Sequence, residues 1–126
     1  MQQAVEAANV KPEDIDLIIT HGDCTGTGNR NEVEAIHDVF ASCLDKIKSF
    51  STKGAIGHLL AAAPVVDAII GMQILKHGII PAYIKGPGAS EPEGKQRIEN
   101  VNRILINCRS YEGQCASLVL EKVACH

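Results

Sequence analysis

Aromatic residues are nearly missing from this chain. Trp is absent, and Phe and Tyr together make up 3% of 126 residues. A core drawn from the 45% hydrophobic fraction must therefore be aliphatic, built of Ile, Leu, Val and Ala. Basic runs are also absent. The 12 Lys and Arg residues are scattered and the net charge is −3, which argues against a nucleic-acid partner. Five cysteines, Cys24, Cys43, Cys108, Cys115 and Cys125, show no CxxC pair, no zinc spacing and no even count. Reduced thiols in a cytoplasmic protein are the expectation. No apolar run reaches the roughly 18 uninterrupted residues of a membrane span, and Met1 to Glu6 lacks the pattern of a signal peptide. The glycines include no Gly-Lys-Ser or Gly-Lys-Thr and no dinucleotide fingerprint. No membrane, cofactor or metal is therefore expected.

What the chain does have is length for one domain, residues 1–126, with a real core. It begins inside a short helix, Gln2 to about Asn9, as though in the middle of a larger architecture. Lys11-Pro12-Glu13-Asp14 reads as a turn. Leu17 to Thr20 is a short apolar run that suits a buried parallel strand. A loop rich in Gly and Thr follows. A helix then runs from about Asn29 or Asn31 to Ala41, with Asn29 or Asn31 as its cap and Val33, Ile36, Val39 and Phe40 on one face.

Ile47 to Phe50 is a second strand. A long helix from about Ile56 to Lys76 is so apolar that burial is expected, with Pro64 kinking it or moving its start. Gly78 stops it. Ile79-Ile80-Pro81-Ala82 reads as an edge strand, and Lys85 to Gln96 as an exposed loop. Two strands, Arg103 to Cys108 and Cys115 to Val123, close the chain as antiparallel neighbours. The alternation predicts an α/β sheet with helices packed on it.

Two blocks stand at the strand-to-helix junctions, where α/β folds build their sites. The first is Thr20-His21-Gly22-Asp23-Cys24-Thr25-Gly26-Thr27-Gly28-Asn29-Arg30-Asn31-Glu32. The second is Ser51-Thr52-Lys53-Gly54-Ala55-Ile56-Gly57-His58. His21 can donate to a developing oxyanion or exchange a proton near neutral pH. His58, at the expected start of the long helix, would be held neutral there and serve as a donor. Lys53, if buried, needs a carboxylate partner, and Asp67 and Glu32 are the candidates. His37, His77 and His126 read as solvated. Cys24, close after His21, makes a Cys/His nucleophile pair a further candidate.

Together the two blocks resemble the C-terminal half of the β-ketoacyl-acyl carrier protein synthases, the condensing enzymes of fatty-acid and polyketide synthesis. His21, Glu32, Lys53, Gly57 and His58 fall on the family's His-Gly-Thr-Gly-Thr and Ser-x-Lys-x-x-x-Gly-His pattern, and Asp67 falls on the acid that pairs with its lysine. The resemblance implies the C-terminal half of a thiolase-like fold, a mixed sheet covered by helices. It implies His21, His58 and Lys53 as the catalytic set, the histidines stabilising thioester oxyanion and enolate charge and Lys53 positioning the second histidine, with Glu32 and Asp67 in support.

The partners implied are acyl carrier protein thioesters and a missing N-terminal half or partner subunit that bears the nucleophilic cysteine. Without it the chain should not condense. An apolar surface left open by the missing half should favour a homo- or hetero-oligomer. The departures are Asp23 and Cys24 in place of Thr and Gly, and Pro64 in place of a glycine. Asn107 to Gln114 also replaces a Gly-Phe-Gly-Gly type loop, and Cys115 a usual asparagine. They leave room for a non-catalytic scaffold module that resembles a chain-length factor.

Overall fold

The computed structural model describes residues 1–81, 96–97 and 100–123. Helices α1 (Gln2–Ala7), α2 (Gly26–Phe40), α3 (Lys53–Ile56) and α4 (Ala63–His77) are joined to six strands. These are β1 (Leu17–Ile19), β2 (Lys48–Phe50), β3 (Ile79–Ile80), β4 (Gln96–Arg97), β5 (Arg103–Arg109) and β6 (Cys115–Glu121). The main sheet runs β2-β1-β5-β6. β1 is parallel to both β2 and β5, and β5 and β6 form an antiparallel hairpin, so the sheet is mixed as expected. β3 pairs with β4 in a separate antiparallel ribbon. The remainder of the expected loop before Gln96, with Cys125 and His126, lies outside the described residues.

The apolar run of β1 is buried throughout, and strand alternation divides it between two cores. Leu17 and Ile19 face α4 and join Ile74, Leu75, Ile104 and Ile106. Ile18 faces the opposite side with Val5, Phe40, Cys43 and Leu105, beneath α1 and α2. Helices thus cover both faces of the sheet. At Gly71 the approach of α4 is close: a Cβ there would meet the methyl groups of Leu120, Ile19 and Ile106 at 3.0–3.5 Å.

Three helix expectations need correction. α2 starts at Gly26, not near Asn29 or Asn31. Its cap is Thr25, whose hydroxyl accepts from the Gly28 N–H at 3.0 Å. The long helix is broken into α3, a 3-10 turn at Leu60–Ala62, and α4. Gly57 (φ 74°) ends α3, and Pro64 stands in the first turn of α4, where its missing N–H has no helical partner to lose. Proline therefore moves the start of the helix rather than kinking it.

Finally, α4 is not buried all round. Asp67, Gly71, Ile74 and Leu75 face the sheet, whereas Val65, Ile69 and Met72 are 48–60% exposed along the opposite face. By length and mean hydropathy alone, Leu60–His77 could cross a membrane. In this fold its Asp67 side is packed on the sheet.

Candidate functional site

The first junction is held by its carboxylates. Glu32, nearly two turns into α2, accepts the backbone N–H groups of His21 (2.7 Å) and Gly22 (2.9 Å) and the side-chain amide of Asn107 (2.7 Å). Asn107 in turn accepts from the Ser117 hydroxyl at 3.0 Å. One carboxylate therefore ties the end of β1 to α2, β5 and β6. Gly22 has φ 54°, and a Cβ there would strike the Ser51 side chain. Glycine at this position lets the two junctions touch. Asp23 accepts from both the N–H and the hydroxyl of Thr25, each at 2.9 Å, and so shapes the loop that leads into α2. Burial pushes the Asp23 carboxyl up, but these Thr25 bonds and the charges of His21 and Arg109 bring it below its ordinary value.

The second junction is held by a buried ion pair. Lys53 Nζ lies 3.3 Å from Asp67 Oδ2, with both side chains almost wholly inaccessible. Asp67 Oδ1 accepts the Thr52 hydroxyl at 2.6 Å. Of the two candidate partners of Lys53, the structure selects Asp67, on the sheet-facing side of α4. Glu32 is committed to the first junction.

His58 was expected at the start of the long helix and lies in the short link between α3 and the 3-10 turn at Leu60–Ala62. Its Nδ1 accepts the Leu60 N–H at 3.0 Å, which Leu60 presents from a left-handed backbone (φ 52°). The Nδ1 of His21 accepts the Arg109 N–H at 3.3 Å. A ring nitrogen that accepts carries no hydrogen, so both imidazoles hold theirs on Nε2. These two Nε2 atoms are 3.4 Å apart, with the rings edge to face at 75°. Two donors thus converge on a space that needs an acceptor. Burial lowers the pKa of His21, and the Lys53 charge lowers it further, against a smaller opposing effect of Glu32. His21 is therefore neutral at pH 7, as a preorganised hydrogen-bond donor requires.

A cavity of about 380 Å³ opens beside the pair. Its wall includes Leu60, Pro64, Cys108, Arg109, Tyr111 and Cys115. Tyr111 stacks on His58, with ring centroids 5.6 Å apart and an interplanar angle of 23°. Burial and the charge of Asp67 raise the pKa of Cys108, which makes it a poor nucleophile. Cys24 does not pair with His21. Its thiol donates to the Gly22 carbonyl at 3.7 Å, while the His21 nitrogens face Arg109 and His58. His37 and His77 are exposed, as expected.

Asn107, Arg109 and Tyr111 were not named singly as site residues, although the stretch Asn107 to Gln114 was read as replacing a loop of the resembled family. One signal was available for Asn107: an amide embedded in the apolar run of β5, where it is buried.

Residues 1–86 match the family model described as the C-terminal domain of β-ketoacyl synthase. The chain belongs to the β-ketoacyl synthase family. It is similar to 3-oxoacyl-[acyl-carrier-protein] synthase 2 of Staphylococcus aureus, at 37% identity over 67% of this chain and 21% of that protein. It is also similar to the synthase of the same name from Rhizobium meliloti, at 31% identity over the whole of this chain and 31% of that one. Among solved structures, the ishigamide ketosynthase/chain length factor superposes with a TM-score of 0.85. That match has 25% identity and covers 98% of this chain and 32% of that one. The chain therefore spans between about a fifth and a third of the length of these β-ketoacyl synthase relatives. The α/β architecture, with a mixed sheet between helices, is that of the C-terminal half of the thiolase-like fold of this family.

Proposed function

We propose that the chain is the C-terminal portion of a decarboxylative condensing enzyme acting on acyl and malonyl thioesters of an acyl carrier protein. The observation that supports this most is the pair of Nε2–H donors of His21 and His58, 3.4 Å apart and each fixed through Nδ1. In the proposed reaction the bond between the malonyl methylene and its carboxylate breaks and CO₂ leaves. The electron pair moves into an enolate whose charge rests on the thioester oxygen. The two donors stabilise that oxygen, at about 3 kcal/mol each. The enolate carbon then attacks an acyl thioester held on a cysteine of another portion or subunit, and the thiolate departs.

In this reading Glu32 positions His21, while the Lys53–Asp67 pair fixes the junction that carries His58. Residues 1–126 act as one domain, in the cytoplasm, within a homo- or hetero-oligomer. The chain alone does not condense, since it brings the donors and not the acyl-bearing cysteine.

The test is reconstitution with the cysteine-bearing portion. His21→Ala and His58→Ala should each lower condensation by about 10²–10³. Undiminished activity of the double variant would refute the proposal. So would turnover of acyl and malonyl thioesters by the chain alone, well above buffer.

A second reading is a non-catalytic partner resembling a chain-length factor. Two observations favour it. The Asp23 carboxylate lies close enough to His21 for their charges to interact, and the altered Ser110–Gln114 turn sets Tyr111 over His58. Full biological activity without both histidines would select that reading.

A further inference from the structure

We infer that Asn107, aligned by Ser117, is a positioning residue for His21 that acts through the Glu32 carboxylate. The inference rests on the proposed role of His21 and adds the side chains that hold it in place. Among the described residues no cation lies within ion-pair distance of Glu32, so hydrogen bonds fix its carboxylate. Its Oε1 accepts the His21 N–H and the Asn107 side-chain amide, each at 2.7 Å, and its Oε2 accepts the Gly22 N–H at 2.9 Å. The two backbone donors belong to the segment that is being positioned. Asn107 is the donor that ties the carboxylate to the next strand of the sheet.

Only the nitrogen end of an Asn amide can donate, and the side chain must be turned the right way round to do so. Ser117 stands directly opposite Asn107 in the β5–β6 register and donates its hydroxyl to Oδ1 at 3.0 Å. With Oδ1 taken, Nδ2 faces Glu32. The reversed amide would set oxygen against carboxylate oxygen and leave the Ser117 hydroxyl without its acceptor. Ser117 thus selects the orientation, in a pair whose Asn107 is 7% exposed.

His21 is held twice from β5. Its ring receives the Arg109 N–H at 3.3 Å, a long contact between neutral groups. Its main chain is held through Glu32 and Asn107 by two contacts of 2.7 Å to a carboxylate. Such charge-assisted bonds are about twice as strong as neutral ones, so the firmer grip is the one that runs through Asn107. Gly22 follows at φ 54°, with no side chain to restrict rotation. Without the carboxylate clamp the end of β1 can turn there, and His21 Nε2 would leave its place 3.4 Å from that of His58.

The test is backbone amide hydrogen exchange in the full chain, followed by NMR together with the ring nitrogens of His21. In the natural chain the His21 and Gly22 amides should be protected, and His21 should carry its hydrogen on Nε2 alone. Asn107→Ala should lower the protection of these two amides on the order of ten-fold, the size of one charge-assisted hydrogen bond. It should also let the His21 hydrogen distribute over both ring nitrogens. Amides in the middle of β1 and β5 report global opening and should change less. Unchanged protection at His21 and Gly22, or a fall shared evenly by the whole sheet, overturns the inference.

Asn107→Asp separates a donor from a merely polar side chain. Two carboxylates in hydrogen-bond contact hold a shared proton to higher pH than either does alone. While that proton is bound, an O–H replaces the amide donor and protection should return; above that pH the charges repel and it should be lost. Lys53, His58 and Asp23 also act on His21 by charge, so N107A is the baseline at each pH. Protection no better than that of N107A at any pH counts against Asn107.

If N107A does not fold, Ser117 decides. Ser117→Thr keeps the hydroxyl and should keep the protection, whereas Ser117→Val has the shape of Thr without the hydroxyl and should lower it. Equal protection in the two overturns the alignment. Undiminished condensation by H21A in the reconstituted enzyme would sink the histidine reading and leave these exchange rates standing.

Discussion

Cys24 occupies a left-handed backbone position (φ 61°), where the resembled motif carries glycine. A side chain there crowds its own carbonyl, at a cost of about 1 kcal/mol. Cys24→Gly should therefore raise the thermal midpoint, and a lowered midpoint in a melting curve would show that the thiol contact to Gly22 outweighs the strain. His21 makes a prediction about pH. Its folded-state pKa is lowered below 6.5 by burial and by Lys53, so the unfolded chain binds the proton more readily. Stability should be full above the unfolded value and fall as pH drops from about 6.5 through the lowered folded value. Urea midpoints measured across that window should show the fall, and H21Q should flatten it.

The histidines themselves were legible, because each stands beside a glycine at the end of an apolar run. The partner that sets the His21 tautomer was not. It is a backbone N–H 88 residues away, and backbone groups leave no trace in residue identity.

Among the elements, α4 carries the most consequence. Its inner stripe holds Asp67 against Lys53, so Asp67→Asn strips a buried cation of its counter-charge. Such a break costs about 3–5 kcal/mol, and chemical denaturation should show a loss of that order. Gly71 lets the helix lie against Leu120, Ile19 and Ile106. Gly71→Leu must force these apart, at about 1–3 kcal/mol, and an unchanged melting temperature would contradict the close approach.

The sequence located this helix but misplaced its start, because composition does not show where a chain turns. The break comes from the φ angles at Gly57 and Leu60, and Pro64 then suits the first turn. Thr25 was likewise passed over as a cap in favour of Asn29 and Asn31. All three are good caps, and only the loop fixed by Asp23 decides among them.

For the whole molecule, the outer face of α4 sets the expectation. Val65, Ile69 and Met72 recur at helical spacing and stay exposed, with Leu60 just before them. The sequence made the helix look buried because it is apolar on both sides. Which body covers the second side is not written in the helix itself. An apolar stripe of this kind marks an association surface. Ile69→Glu with Met72→Glu should abolish self-association, or capture of a cysteine-bearing partner, and leave the fold intact by circular dichroism. Sedimentation velocity before and after the change would report it, and an unaltered profile would place the contact elsewhere.

The order of the strands in the sheet differs from their order in the chain. β5 lies at the centre, between β1 and β6, yet nearly the whole chain precedes it. A ribosome that adds roughly 5–20 residues per second delivers both histidines and α4 several seconds before it delivers that strand. Throughout this interval β1 has one bare edge, and the aliphatic cores lack Ile104, Leu105 and Ile106. The nascent chain therefore carries both imidazoles well before it carries the Arg109 amide that orients the first, and the site cannot mature before β5 arrives.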